Sequence, residues 1–300
     1  MISVLIPAYN WNVYPLVLAL YNQLEEEDIP FEILVIDDAS ESEFHPLNQK
    51  INSIEHCSFQ SLKKNIGRGS LRNLLASQSV YDWLLFLDCD VKPIGRGFVK
   101  KYIAVAKKAK GTVFCGGIAY RKEDRSKGEL RYNFGVKSEE VALSVREKRP
   151  IKYFFTANFF IHRHIFDRIH FEESLKKYGR EDLLFASTLE KEGVFIKQIE
   201  NRVYHLGIDS NEVFTMKTMQ ATENLFFLAD NKLVKERDHL LLRVALLLND
   251  CKIGVFFGKK HAYFKKKAIE NSSVIYLNLL KISYLCFCLI GSKRNINFNL

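Results

Sequence analysis

Short apolar runs alternate with amphipathic stretches along the first two thirds of the chain. Ile2-Ser3-Val4-Leu5-Ile6, Phe31-Glu32-Ile33-Leu34-Val35-Ile36 and Trp83-Leu84-Leu85-Phe86-Leu87 are rich in branched and aromatic side chains. Runs this short suit strands buried on both faces of a sheet better than helices. Between the first two, Tyr14 to Glu27 places Leu16, Leu20 and Leu24 at helical spacing. A weaker strand, Cys57 to Leu62, leads through the loop Asn65-Ile66-Gly67-Arg68-Gly69 into a helix carrying Leu71, Arg72 and Asn73. The pattern then predicts a helix from Phe98 to Lys108 and strands over Thr112 to Ile118 and Phe154 to Ile161. A helix from Leu183 to Glu192 follows, then a strand at Val194 to Ile199 and the stretch Val203-Tyr204-His205-Leu206. Residues 120 to 150 are charged and lack a period, so a mobile surface excursion is expected there. This alternation predicts an α/β fold, a mostly parallel, doubly wound sheet flanked by helices.

From Asp209 onward the pattern becomes helical, with Val213 to Asp230, His239 to Leu248 and Val274 to Ile290 as the expected elements. The chain therefore divides into an α/β domain over 1–210 and a helical region over 211–300. Val274 to Ile290 carries Lys281 and is short for a membrane span, which needs about 20 mainly apolar residues. Lys259, Lys260, Lys265, Lys266 and Lys267 form a basic run before it. Three uses of this region stay open: packing, a dimer contact, or peripheral attachment to an anionic membrane surface.

The strand ends carry the candidate chemistry. Ligands bind at the carboxyl ends of the strands in such sheets, and those ends hold Pro7-Ala8-Tyr9, Asp37-Asp38, and Asp88 with Asp90. In an extended chain Asp88 and Asp90 project to the same side. Two carboxylates placed so repel each other and lose hydration unless a cation or a donor-rich ligand lies between them. A chance D-x-D facing water is the bland alternative, and four aspartates at one sheet edge count against it. Gly67, opening a helix with Arg72 on it, suits a phosphate group, although a plain turn would use the same glycine. Neither a Walker loop nor G-x-G-x-x-G is present, which counts against ATPase and dehydrogenase readings. Glu181-Asp182 reads as a helix N-terminal pair, Arg68 as a solvated charge, and His162, His164 and His170 as structural.

Composition adds little. With 300 residues, 47% hydrophobic and 26% charged, the chain is ordinary for a globular protein. The net charge of +9 favours an anionic partner, but nucleic acid has only that charge behind it. Six cysteines form no C-x-x-C pair. With the first strand starting at Ile2, no signal peptide is expected. The expected compartment is therefore cytoplasmic and reducing, or the cytoplasmic face of a membrane.

The motifs Ile6-Pro7-Ala8-Tyr9-Asn10, Val35-Ile36-Asp37-Asp38-Ala39-Ser40, Asn65-Ile66-Gly67 with Arg72-Asn73, Leu87-Asp88-Cys89-Asp90 and Gly179-Arg180-Glu181-Asp182 come in a telling order. Together they resemble the family 2 glycosyltransferases of the GT-A fold, over roughly residues 1 to 210. The resemblance implies inverting transfer of a sugar from a nucleoside-diphosphate sugar, with UDP favoured, to a carbohydrate or lipid-linked acceptor hydroxyl. Surface polysaccharide or glycoconjugate assembly would be its setting. By the same resemblance Pro7, Ala8 and Tyr9 line the nucleoside pocket and Asp38 hydrogen-bonds the base. Arg72 lies near the base or diphosphate, Asp88 near the ribose or donor sugar, and Asp90 holds a divalent metal, Mn²⁺ or Mg²⁺. Asp182 matches the general base, and His205 is placed to match a further metal ligand, or is a structural histidine. Leu71 stands where the family usually has a small residue. A sugar-nucleotide-forming nucleotidyltransferase is the enzymatic rival, but Pro7 to Trp11 supplies no triphosphate loop. An inactive nucleotide-sugar-binding or membrane-scaffold protein is the other.

Overall fold

The computed structural model describes residues 1–107, 109, 111–175, 177–234 and 239–296. The chain forms two compact units. One comprises Met1–Arg121, Ser138–Ser174 and Glu181–Gly207, the other Lys122–Lys137, Leu175–Arg180 and Ile208–Leu300. Residues 122–137 and 175–180 thus belong with the C-terminal helices, although both lie inside the 1–210 span expected to form the α/β domain.

The strands are β1 (Ile2–Ala8), β2 (Phe31–Asp37), β3 (Cys57–Ser61), β4 (Trp83–Leu87), β5 (Val91–Pro93), β6 (Thr112–Cys115), β7 (Ile118–Ala119), β8 (Asn158–His162), β9 (Phe195–Gln198) and β10 (Val203–His205). The helices of the first half are α1 (Tyr14–Glu25), α2 (His45–Asn48), α3 (Arg68–Gln78), α4 (Phe98–Ala106), α5 (Glu129–Ser138) and α6 (Leu143–Glu147). Those of the second half are α7 (Arg163–Phe166), α8 (Glu181–Lys191), α9 (Asn211–Asp230), α10 (Leu240–Asp250), α11 (Ile253–Gly258), α12 (His261–Glu270) and α13 (Val274–Ile296). Lys108, the expected end of α4, lies outside the described residues.

In the first unit seven strands run in the order β3-β2-β1-β4-β8-β6-β9, and β5-β10-β7 make a second, small sheet. β1 is parallel to β2 and β4, β2 to β3 and β6 to β9, while β8 is antiparallel to β4 and β6. The apolar run expected as one strand over Thr112 to Ile118 breaks at Gly116-Gly117. A side chain at Gly116 would meet the Asn201 carbonyl at 2.2 Å and Asn158 Nδ2 at 2.3 Å. The chain can pass there only without one, and it leaves the large sheet for the small one. β8 begins at Asn158 rather than Phe154, because 151–157 turn on themselves while Phe154 still enters the core.

The expected mobile excursion is ordered instead. It contains a 3₁₀ turn at Lys122–Lys127, then α5 and α6. In the first unit its Arg146 is fully buried and donates to Gln198 Oε1 (2.9 Å) and the Ile199 carbonyl (3.0 Å). No hydrophobic period marks this segment, because a buried guanidinium holds part of it.

An aromatic core fixes the helices that matter for the site. Phe86 stacks on Phe159 with centroids 4.7 Å apart, and Phe171 on Phe185 at 4.1 Å. The same core takes Leu71 and Leu75 of α3 with Phe185, Ala186 and Leu189 of α8. Leu71, out of pattern for the resemblance, is therefore a packing residue. Two helix N-termini are seated on one core, one behind Gly67 and one at Glu181-Asp182.

In the second unit Leu130 of α5 joins Phe264, Ala268, Val274, Leu277 and Leu280 in a separate core, and α9 to α12 all pack on α13. Val274–Gly291 has a mean hydropathy of 1.8 with 28% of it buried, so by length and composition alone it could cross a membrane. A core helix of a soluble protein meets the same measure.

Candidate active site

The carboxyl ends of β1, β2 and β4 lie side by side, as their parallel register requires: Ala8 sits opposite Asp37, and the Asp38 amide donates to the Ala8 carbonyl at 2.9 Å. Ala8 is buried, Pro7 partly so, and Tyr9 just beyond them is exposed. The four aspartates of this edge then separate into distinct jobs.

Asp37 is buried and accepts from the Ser40 amide (2.9 Å), the Ser61 hydroxyl (3.1 Å) and the Ser40 hydroxyl, with His45 Nε2 at 3.1 Å. It closes the turn after β2. Asp38 is also buried, and its two oxygens accept from the amides of Ile66 (2.7 Å) and Gly67 (2.9 Å). Its first role is to hold the Gly67 loop, where φ of +89° suits glycine. A carboxylate oxygen has two lone pairs, so Asp38 keeps acceptor capacity for a base N–H.

Asp88 and Arg72 form a pair. Arg72 is 1% exposed, and its Nη2 lies 2.6 Å from Asp88 Oδ1 and 3.1 Å from Thr156 Oγ1. Its Nε has no hydrogen-bond partner. Arg72 was expected near a base or diphosphate; its guanidinium is buried and positions Asp88. Burial would raise the Asp88 pKa. The Arg72 charge and hydrogen bond, with Arg68 and His205, outweigh that and hold the carboxyl below its usual value. Between the two aspartates, Cys89 is pushed well above the usual thiol range by burial and by Asp90, so it stays a neutral thiol.

Asp90 meets His205 through the small sheet. Val91 of β5 pairs with His205 of β10, and Leu206 N donates to the Asp90 carbonyl at 2.7 Å. His205 Nε2 thereby comes within 3.8 Å of Asp90 Oδ2, and His205 Nδ1 is buried without a hydrogen-bond partner. Gly207 lies so close beneath that a Cβ there would stand 1.9 Å from Asp90 Oδ2. The His205 Nε2 nitrogen and the Asp90 carboxylate that it faces are a donor pair of the kind that fits a divalent cation. Among the described residues no group of three or more His, Cys, Asp or Glu could hold one. Two protein donors remain, and Mg²⁺ or Mn²⁺ completes its shell with phosphate oxygens and water.

The start of α8 completes the edge. Glu181 is buried and its Oε1 is 3.6 Å from Nη1 of Arg68, which is exposed, as expected of a solvated charge, and also links the heads of α3 and α8. Asp182, half-buried beside it, accepts the Leu183 amide at 2.7 Å. Its place in the first helical turn favours the ionised carboxylate.

Several contacts had no signal in the sequence. The Tyr120 ring stacks on His205 at 5.9 Å, its hydroxyl donates to Glu139, and its amide donates to Glu140 Oε2 at 3.0 Å. Thr156 beside Arg72 was equally silent. His162 lies at the other end of β4, opposite Trp83, with its Nδ1 2.8 Å from His164 Nδ1, well apart along the strand from Asp88.

The family model for glycosyl transferase family 2 matches residues 3–178. No curated protein matches the chain by sequence. Among solved structures, the mannosyltransferase PcManGT from Pyrobaculum calidifontis, in complex with GDP-Man and Mn²⁺, is 13% identical with a TM-score of 0.59, covering 95% of this chain and 84% of its own. Mannosyl-3-phosphoglycerate synthase from Rubrobacter xylanophilus is 15% identical with a TM-score of 0.52, covering 78% and 76%. TarS residues 1–349 from S. aureus is 18% identical with a TM-score of 0.50, covering 94% and 90%. A longer TarS chain is matched over only 40% of its length. At these identities the likeness is one of fold.

Proposed function

The chain belongs to glycosyl transferase family 2, and on that premise we propose that it moves a sugar, with inversion, from a nucleoside-diphosphate sugar to an acceptor hydroxyl. The observation that carries this reading is the meeting of Asp90 and His205 at 3.8 Å beside the Asp88–Arg72 pair. That arrangement leaves two carboxylates and an imidazole at the strand ends where a diphosphate would lie.

The roles are those the family likeness suggests, and the geometry supports them. Pro7, Ala8 and Tyr9 flank the base, and Asp38 accepts from it while holding the Gly67 loop. Asp88, kept ionised and oriented by Arg72, accepts from hydroxyls of the ribose or sugar. Asp90 and His205 would hold a divalent cation, which supplies positive charge to the diphosphate oxygens as negative charge builds there. On the opposite face of the sugar, the acceptor oxygen bonds to the anomeric carbon as its bond to the diphosphate oxygen breaks. The acceptor proton passes to the Asp182 carboxylate. Glu181 is committed to Arg68, which leaves Asp182 as the base. The acceptor class we favour is a carbohydrate or lipid-linked glycan under assembly into a surface polysaccharide or glycoconjugate.

The test offers purified protein a panel of nucleoside-diphosphate sugars with Mn²⁺, with Mg²⁺ and with a chelator, following release of nucleoside diphosphate and thermal stability. One donor should raise the melting temperature by mass action and turn over only with metal present. A protein that neither binds nor cleaves any donor overturns the reading, and equal turnover in chelator overturns the metal site.

A further inference from the structure

Helix α11 is built inside out. Its two glycines face inward: a Cβ at Gly258 would meet the Phe287 amide nitrogen at 3.0 Å, and one at Gly254 would strike Asn249 Oδ1 at 1.8 Å. Small residues thus bring the helix against its neighbours, while the large apolar residues point away. Ile253 is 53% exposed, Val255 44% and Phe256 66%. Phe287 of α13, whose backbone Gly258 approaches, is also exposed, its ring lying against His261 and Tyr284.

Its rim is basic. Lys252, Lys259 and Lys260 are exposed around these apolar residues, and Lys260 Nζ lies 5.0 Å from the centre of the Phe256 ring. From Cys251 to Ile269 the sequence contains six lysines and no acid. At the far end of that stretch Glu270 engages Lys266 (3.7 Å) and Lys267 (3.1 Å), and Asp250 precedes it at the near end, so the stretch stays net positive along its length. Contiguous exposed apolar surface rimmed by charge marks an interaction site.

We propose that the α11 face docks on an anionic bilayer surface, with Ile253, Val255 and Phe256 in the interfacial layer and Lys252, Lys259 and Lys260 on lipid phosphates. Apolar side chains enter at the level where lysines, on long stems, reach the headgroups. A second copy of this chain is the poorer occupant. A two-fold contact sets each patch against itself, and the lysines of one copy would face those of the other. Nucleic acid is poorer too, since Ile253 and Val255 give it nothing to stack on.

The experiment is flotation of the full chain with vesicles of phosphatidylcholine alone or with phosphatidylglycerol added, at low and at 0.5 M salt. Binding should need phosphatidylglycerol and weaken at high salt. The joint substitution Lys252→Ser, Lys259→Ser and Lys260→Ser should weaken it about a hundredfold, at roughly fivefold per lysine. Ile253→Ser with Phe256→Ser should lower binding at every salt concentration while changing the thermal melt little, because both side chains are more than half exposed. Failure of the wild type to bind phosphatidylglycerol vesicles at low salt overturns the proposal, and so does wild-type binding by both variants. A dimer dissolved by Ile253→Ser with Phe256→Ser, without vesicle binding, overturns it in favour of self-association. No sugar donor enters the assay, so its outcome is independent of the transfer reading.

Discussion

At the scale of single residues, Asp182 and Asp88 show how one residue type divides into different work. Asp182 accepts the Leu183 amide at 2.7 Å, a bond that asparagine can also accept, so Asp182→Asn should fold and bind donor within a few-fold of wild type. It loses the ability to take a proton, and kcat should fall about 10²- to 10⁴-fold. Measuring kcat beside nucleotide affinity separates the two roles; normal turnover would reduce Asp182 to a helix cap. Asp88 carries a stability signature instead. Its pKa is held below the ordinary carboxylate value despite burial, chiefly by Arg72. Between the folded and unfolded values the unfolded chain binds more protons, so stability rises with pH there. The contribution is complete above about pH 5, given an unfolded carboxyl near 4, and drains away as pH falls through the folded pKa. Asp88→Asn leaves the buried Arg72 charge without its counter-charge and should lower unfolding stability at pH 7 by about 1–3 kcal/mol. The gap between denaturant melts of the two proteins should narrow as pH falls below the unfolded carboxyl value. A gap that stays constant with pH would mean that Asp88 ionisation is not what matters.

At the scale of elements, three strands of two or three residues decide where the cation site would be. β5 and β10 pair so that His205 follows Val91 in register, and the chain beyond β10 then passes under Asp90 at Gly207. A methyl group at Gly207 would stand 1.9 Å from Asp90 Oδ2. Gly207→Ala should therefore push the carboxylate off His205 and weaken metal-dependent nucleotide binding about 10- to 100-fold, the range for disturbing a metal ligand's support. Metal-free nucleotide affinity should change little. Calorimetric titration with and without Mn²⁺ reads both, and an unchanged metal response would show that Asp90 does not need that cradle.

At the scale of the molecule, the boundary between the two units is not a single point in the chain. Leu130 lies between Arg121 and Ser138, yet it packs with Phe264, Ala268, Val274, Leu277 and Leu280. A chain shortened to residues 1–210 would expose that α5 face. It should give a lower soluble yield than the full chain and bind a hydrophobic dye more strongly. A well-behaved shortened protein would show that residues 122–137 need no cover.

The residues alone determined the parallel strand-helix alternation and the carboxylates at its strand ends. Buried strands of five to seven residues and helix periods are local patterns, and strand ends in such sheets are where ligands sit. They also determined Gly67 as a loop residue at a helix start, through its tolerance of positive φ. Only the tertiary structure decided that Arg72 turns inward to Asp88 and that the buried Glu181 faces Arg68, because a sequence shows a charge but not the partner that lets it be buried. The same holds for Arg146, which orders part of a segment with no hydrophobic period. β5, β7 and β10 are too short to show a period of two, so the pairing of Asp90 with His205 could not be read from them. The inverted face of α11 was hidden for the related reason that apolar residues look alike in sequence whether a neighbouring helix covers them or water does.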